Sequence, residues 1–358
     1  MAAPEDGRPL QQSKKARRRL VLFSKAGASL LFLVILLHFI NASDFLETVR
    51  RIDLRYLALS MVVSGFMIFI SCLKWKLFLD LQQKPVPLRL LMRYYYIGYY
   101  FSNLLPSNVG GDVARAYYAG RHIKSHGHAA ISVFMERGTG LLLLLLLAVL
   151  APACLPGLFT HPGIIVPAFL AASLLVLLAV LLMMRRHGRD LGRWLHRILD
   201  GLIALPGGRG LRRSEGGMRA MVERFASSLA GLQEKFAALV RVLRNDQLAL
   251  LQVTLITVLF YLLTFLNVYV SCLAFGEEPS LLAIAAVVPA AILVSMVPVS
   301  LGSLGLTEGA YVFYLGLIGI NSAASLAMAL LFRFKMLVNG LIGLVLSHRA
   351  VSPGAGEP

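Results

Sequence analysis

The chain is poor in the residues from which metal sites and small secreted domains are built. It contains three cysteines in 358 residues, Cys72, Cys154 and Cys272, all within apolar sequence. Because no two of them have a paired spacing, they argue against a disulfide framework and a zinc site. There is also no Asp-x-Asp pattern and no cluster of histidines with acids. We therefore expect no bound metal and no cofactor.

Long polar stretches are scarce as well, which argues against a soluble protein. Hydrophobic residues make up 58% of the chain, whereas soluble domains are usually about 45–50% apolar. Several apolar runs approach or exceed the roughly 20 residues that cross a bilayer as a helix. These runs predict an all-α polytopic membrane protein with about six full spans, at Leu20–Ile40, Ala58–Leu73, Ala129–Ala151, Gly163–Met184, Leu248–Phe275 and Ser322–Leu346.

Acidic residues are few, and the excess of basic residues is unevenly placed. The chain has 35 Lys and Arg against 18 Asp and Glu, a formal charge of +17. Residues 185–246 alone hold 13 Lys and Arg against 6 Asp and Glu. This distribution follows the positive-inside rule better than it indicates nucleic-acid binding. We predict a multi-pass protein of the cytoplasmic membrane with both termini inside: a basic tail at 1–19, a membrane domain at 20–347 containing the cytoplasmic loop, and a tail at 348–358.

Two apolar segments are interrupted by proline, glycine and a carboxylate. One interruption follows Tyr94 and reads Pro106-x3-Gly110-Gly111-Asp112; the other reads Pro298-x3-Gly302, with Glu308 beyond it. Broken backbone at membrane depth persists only where it is buried in protein or lines a wet cavity. We therefore predict two re-entrant hairpins in inverted halves, about 20–153 and 163–347, with a substrate path between them. Chance similarity of the breaks, and hairpins that cross fully, are the alternatives.

Charged residues inside apolar segments are costly and are functional candidates by default. Arg115 has two interpretations: contact with a lipid phosphate, for which a planar guanidinium is suited, or a structural ion pair with Asp112. Arg137 could also reach the cytoplasmic surface. The candidate substrate-binding residues are the charges and the polar or small residues of the two breaks: Asn103, Pro106, Ser107, Gly110, Gly111, Asp112, Arg115, Glu136, Arg137, Pro298, Ser300, Gly302, Gly305, Glu308, Arg333 and Lys335.

The partners of these charges can also be predicted in part. We expect Glu136 to pair with a basic residue from the other half. Arg333 and Lys335 lie about eleven residues from either end of the last span, so they should face a polar interior. Glu308 is their natural partner or, alternatively, a contact of the substrate.

At these residues the chain resembles the lysylphosphatidylglycerol synthase transmembrane family, also described as flippase-like. The resemblance extends over roughly residues 20–347 and is carried by three pieces: Tyr96-x-Gly98-x2-Phe101-x-Asn103 through Pro106-Ser107-x2-Gly110-Gly111-Asp112-x2-Arg115, then Glu136-Arg137, then Pro298-x-Ser300-x-Gly302-x2-Gly305-x2-Glu308. It implies the translocation of a phospholipid or other lipid-linked amphiphile between leaflets. In the multiple peptide resistance factors of this family, such a membrane domain is joined to a soluble lysyltransferase domain.

The longest polar stretch of this chain, about 60 residues, is too short for such a transferase domain. We therefore expect no lysyltransferase activity and a lipid translocator acting on an anionic or headgroup-modified phospholipid. Two alternatives remain: a membrane-embedded lipid-headgroup transferase, and a non-catalytic subunit working with enzymes of envelope-lipid biosynthesis.

Overall fold

A computed structural model describes residues 42–104, 110–155, 160–186, 246–297 and 299–351, together with a few isolated positions. The N-terminal tail, the predicted first span Leu20–Ile40 except Gly27, nearly all of loop 185–246 and residues 352–358 lie outside the described residues. All regular structure in the described part is helical, which confirms the all-α fold class. The helices are α1 Ala42–Arg50, α2 Leu54–Leu81, α3 Leu88–Leu104, α4 Gly110–His122, α5 His126–Leu150, α6 Pro162–Arg186, α7 Gln247–Leu273, α8 Leu281–Ser295, α9 Leu306–Gly316 and α10 Ser322–Val351.

Five of the described helices are long and apolar enough to cross a membrane: α2, α5, α6, α7 and α10. Each contains or nearly coincides with a predicted span. Their outer faces carry large exposed apolar side chains, such as Phe169 and Leu170 on α6, which are more than 60% exposed. A soluble protein rarely exposes so much contiguous apolar surface, whereas lipid would cover it.

Short polar signals set the ends of the helices. The Asp53 carboxylate accepts a hydrogen bond from the Arg55 amide at the start of α2, and the Asp246 carboxylate does the same for the Ala249 amide at the start of α7. Such caps satisfy amide groups that have no partner inside the helix. Pro85 and Pro87 follow the end of α2 and prevent the helix from continuing.

Two pairs of shorter helices form the predicted hairpins. The helices α3 and α4 pack against each other, as do α8 and α9. Their lengths of 17, 13, 15 and 11 residues are below the roughly 20 needed for a full crossing. The Arg93 guanidinium donates to the Leu346 carbonyl (3.1 Å), so α3 begins at the end of the bundle where α10 finishes. The Asp53 amide donates to the Ala274 carbonyl (2.9 Å), so α7 finishes, and α8 begins, at the opposite end.

The order of elements is therefore the same in α2–α5 and in α7–α10: a long helix, a hairpin and a second long helix. The two hairpins enter from opposite ends, as in an inverted repeat. The halves pack through α2 against α7, through α3 against α10 and through α5 against α8. One apolar cluster surrounds α7–α10 together with part of α5, and another surrounds α2–α5. Residues of both clusters line a cavity that is described below.

Candidate functional site between the two halves

The first charged group lies where α4 and α5 meet. The Arg115 guanidinium forms ion pairs with Asp112 (3.0 Å) and with Glu136 (2.5 Å). Its side chain is only 2% exposed, and that of Glu136 is equally buried. The prediction that Asp112 and Arg115 pair is confirmed. The prediction that Glu136 pairs with the other half is wrong, because one helical turn of α4 brings Arg115 directly against it.

Aromatic rings enclose Arg115 on its remaining sides. Its guanidinium carbon lies 4.6 Å from the centre of the Tyr95 ring and 5.1 Å from that of Trp75. The Tyr95 hydroxyl donates to Glu136 (3.3 Å). Cation–π contacts of this kind stabilise a desolvated guanidinium. With two carboxylates and two rings around it, Arg115 has the surroundings of a structural ion pair, which was one of its two interpretations.

Arg137, the next residue after Glu136, points in a different direction. Its guanidinium donates to Asp112 (2.9–3.3 Å), yet 58% of its side chain is exposed. Successive helical residues are rotated by about 100°, so neighbours on α5 face different surroundings. Asp112 therefore bridges a buried arginine and an accessible one.

The second charged group holds the second break. The Arg333 guanidinium donates to Glu308 through Nε (2.7 Å), to the Gly302 carbonyl (2.9 Å) and to the Ser303 carbonyl (2.8 Å). The other Glu308 oxygen accepts from the Gly305 amide (2.7 Å). Gly302 and Gly305 have φ of +57° and +78°, values that glycine adopts without strain. Arg333 and Glu308 thus satisfy backbone groups that the broken helix leaves unpaired, and the predicted pairing of these two residues is confirmed.

The two groups are related by the internal repeat. Asp112 is the third residue of α4 and Glu308 the third residue of α9, and each pairs with an arginine 25 residues later, Arg137 on α5 and Arg333 on α10. The spacing from the proline of each break to its carboxylate differs between the halves. Pro106 precedes Asp112 by six residues, whereas Pro298 precedes Glu308 by ten. The second break is therefore four residues longer than the proline–glycine match alone suggests.

Lys335 lies deep between the halves. Its ammonium donates to Asn267 Oδ1 (2.6 Å) and to the Ser271 hydroxyl (3.1 Å), both on α7, and it lies 5.0 Å from the centre of the Phe332 ring. The residue is 4% exposed. Among the described ion pairs, none joins Lys335 to a carboxylate. Lys335 therefore faces a polar interior, as predicted. Its partners, Asn267 and Ser271, are neutral side chains that were not predicted from the sequence.

A cavity of about 330 Å³ lies between the two halves. The first half lines it with α2, α3 and Arg137 of α5, and the second half with α7, α9 and α10, including Lys335. A neighbouring cavity of about 290 Å³ shares Thr307, Tyr311, Phe332 and Met336 with it and is lined by Arg333. Among the described lining residues, both cavities contain cationic side chains and no carboxylate.

The described flanks of both breaks are anchored within one turn of α10. The Asn103 amide at the end of α3 donates to the Met336 carbonyl (3.0 Å), and the second break is held by Arg333. Pro106, Ser107 and Pro298 lie outside the described residues, so a face-to-face arrangement of the complete breaks stays a prediction. The anchoring places their ends close together in the middle of the bundle.

Several of the small and polar candidate residues lie at positions where the packing of the fold accounts for them. A methyl group added to Gly111 would lie 2.3 Å from the Gly98 carbonyl, so this glycine permits the close crossing of α3 and α4. Gly110 begins α4 and is half-buried, and Ser300 is buried beside the second break. For Gly111, close packing of two helices is thus a sufficient explanation.

Lys74 directly follows the predicted span Ala58–Leu73, where a lysine is normally part of a basic cytoplasmic flank, but the structure buries it. The helix α2 continues to Leu81, and Lys74 is only 4% exposed within it. Its ammonium lies 5.9 Å from the centre of the Phe260 ring on α7 and beside Gly140 of α5. Its burial could have been predicted from its helical spacing from Ser64, Met67 and Ser71. This spacing places Lys74 on the face of α2 that lines the cavity.

Comparison with known proteins agrees with this architecture. The profile of a family described as the lysylphosphatidylglycerol synthase TM region matches residues 20–343. A protein of Methanothermobacter thermautotrophicus described as a UPF0104 membrane protein is 24% identical over 291 residues, which cover 80% of this chain and 83% of the relative. No solved structure matches the chain. With its profile matched over nearly the whole length, the chain belongs to the lysylphosphatidylglycerol synthase transmembrane family of multi-pass membrane proteins.

Proposed function

We propose that the protein translocates a lipid with an anionic headgroup between the leaflets of the cytoplasmic membrane. The observation that carries the proposal is the cavity between the two halves, with Arg137 and Lys335 in its walls and no carboxylate among its described lining residues. Cations in a water-poor interior attract anions far more strongly than they do at a surface. A phosphate group entering the cavity would find both.

The size of the cavity supports transport of the headgroup alone. Pockets that enclose a drug-sized ligand measure about 300–1,000 Å³, so a cavity of about 330 Å³ accommodates a small polar headgroup but no pair of acyl chains. In this proposal the chains stay in the surrounding lipid while the headgroup passes between the halves. The inverted hairpins supply two similar gates on opposite sides of the headgroup.

The orientation also belongs to the proposal. Several described basic residues lie at one end of the bundle, where α2 and α10 finish, among them Lys84, Arg89, Arg93, Arg121 and Lys124. The opposite end carries the acidic pair Glu277 and Glu278. The positive-inside rule places the basic end in the cytoplasm.

Transport can be tested with purified protein in vesicles that contain a fluorescent anionic phospholipid. A membrane-impermeant quencher reports how much of the lipid has reached the outer leaflet. We expect lipid exchange with the parent protein and a rate at least about tenfold lower with Arg137→Gln, because a charge-assisted contact to the headgroup is lost. Arg121→Gln, on the exposed surface of α4, is the matched control.

The same vesicles distinguish the alternatives that the sequence left open. Recovery of a chemically altered lipid would identify a headgroup transferase. If the vesicles show neither lipid exchange nor a chemically altered lipid, the transport proposal is contradicted. That outcome would favour an accessory role beside other enzymes of lipid synthesis. Equal rates for Arg137→Gln and the parent would remove Arg137 from the headgroup path.

A further inference from the structure

The charges near the centre of the bundle do not balance. Among the residues that the structure describes, five cationic side chains lie there with three carboxylates. Each carboxylate pairs with arginine: Asp112 with Arg115 and Arg137, Glu136 with Arg115, and Glu308 with Arg333. Neither Lys74 nor Lys335 forms an ion pair with a carboxylate among the described residues, and both are 4% exposed. In this described part of the bundle, the cationic side chains therefore outnumber the carboxylates by two.

An uncompensated buried charge is expensive, and more so at membrane depth. Lys335 offsets part of this cost through Asn267 and Ser271, which are neutral. The ammonium of Lys74 lies 5.9 Å from the centre of the Phe260 ring and beside Gly140. Glu136 attracts it from beyond ion-pair distance, but this carboxylate already pairs with Arg115. An anion bound beside either lysine would supply the missing compensation.

One lysine lines the cavity of about 330 Å³, and the other lies directly behind its wall. Lys335 lines it directly. Lys74 lies one turn of α2 beyond Ser71, and the ring beneath its ammonium belongs to Phe260; Ser71 and Phe260 both line the cavity. The ammonium of Lys74 approaches from α2 and that of Lys335 from α10, so one cation comes from each half.

The internal repeat gives the two lysines equivalent surroundings. Lys74 is residue 21 of α2, and Asn267, which holds Lys335, is residue 21 of α7. Lys335 is residue 14 of α10, and Thr139, next to Gly140 at the Lys74 ammonium, is residue 14 of α5. Each half thus places one ammonium where its first long helix meets its last, although the lysine comes from opposite members of the pair.

We propose that the transported headgroup carries two negative charges, as a phosphomonoester or diphosphate does, and that Lys74 and Lys335 each bind one of them. This inference rests on the proposed lipid transport. It names the substrate class, since a phosphodiester lipid with one charge would compensate only one lysine. A headgroup bearing an added cation would compensate neither.

The test compares three fluorescent lipids with identical acyl chains and a phosphodiester, a phosphomonoester or a diphosphate headgroup. At about pH 7.5 the phosphomonoester is mostly doubly charged, because its second pKa is near 6. We expect the parent to move one of the doubly charged lipids at least about tenfold faster than the phosphodiester, from one additional charged contact. Comparison of the two doubly charged lipids shows which arrangement of charges the cavity accepts.

Substitution assigns the preference to the lysines. Lys74→Met and Lys335→Met, which keep the length of the side chain without its charge, should each reduce the doubly charged rate to that of the phosphodiester. Lys76→Met is the matched control, because Lys76 pairs with Asp80 on the more exposed side of the same helix. Equal parent rates for all three lipids would overturn the proposal. An equal loss for all three in Lys74→Met would instead assign Lys74 to the fold and would also overturn it.

Binding provides a readout that does not depend on transport. The melting temperature of the detergent-solubilised protein should rise more with the doubly charged lipids than with the phosphodiester, and Lys74→Met should remove the difference. If this binding preference is present while no lipid changes leaflet, the transport proposal fails and the assignment of the headgroup stands. If lipid exchange occurs without any preference in rate or in melting temperature, the assignment of the headgroup fails alone.

Discussion

Replacement of Arg115 by alanine tests whether this arginine stabilises the fold or contacts substrate. The change removes the ion pairs to Asp112 and Glu136 and the contacts with the Tyr95 and Trp75 rings. Breaking a buried ion pair typically costs about 3–5 kcal/mol, because the remaining charge stays buried without a partner. Of the described hydrogen-bond and ion-pair partners of the Glu136 carboxylate, the Tyr95 hydroxyl would be left. We therefore expect Arg115→Ala to lower the thermal stability of the purified protein strongly and to reduce its amount in the membrane.

A double-variant cycle isolates the ion pair from the lost packing. Arg115→Met combined with Glu136→Gln removes both charges and keeps most of the volume, so it should be more stable than the sum of the single effects predicts, by about 1–3 kcal/mol. Arg121→Ala, on the exposed face of the same helix, should leave stability nearly unchanged. If Arg115→Ala were as stable as the parent and yet inactive in vesicles, the structural role of Arg115 would be refuted. The interpretation that Arg115 contacts a lipid phosphate would then be favoured.

Further outcomes follow from the same contacts. Gly111→Ala should destabilise the protein by about 1–3 kcal/mol, because the added methyl group overlaps the backbone of α3; Gly127→Ala, with open space around it, should not. Arg333→Lys should keep the pair with Glu308 but lose most activity, since an ammonium lacks the fork that binds two carbonyls as well. In a variant without Cys154, a cysteine at Glu278 should react with impermeant reagent added outside, and one at Lys84 only after the membrane is opened; the reverse would invert the topology.

Apolar length and broken segments in the sequence were sufficient to predict the membrane class and the hairpin architecture. They did not establish which arginine faces the cavity, because Glu136 and Arg137 are neighbours and their directions depend on how α5 is rotated against α4. The rings that enclose Arg115 come from α2 and α3, far away in the sequence. Nothing local to the motif around Asp112 predicts this enclosure.

Hydropathy does not predict the burial of Lys74, and here the physical reason is different. The apolar run stops at Leu73, and a lysine at that point normally marks the end of a span. The helix instead continues to Leu81, where Pro85 and Pro87 follow, and α7 covers the lysine with an aromatic ring. Hydropathy therefore located the span correctly but could not show that one of its flanking charges is buried.

The two halves share one feature and differ in another, and the contrast separates structure from function. Both have a carboxylate at the third residue of the hairpin's second helix and an arginine 25 residues later. At the positions of Arg115 and Glu136, however, the second half has Tyr311 and Phe332, whose rings pack 5.3 Å apart. In the second half, the pair of Glu308 and Arg333 binds the backbone groups of the broken helix. These backbone groups need partners whatever ligand is bound, so the pair gives little information about the substrate. The lysines come from different helices in the two halves, and the substrate is therefore better inferred from them.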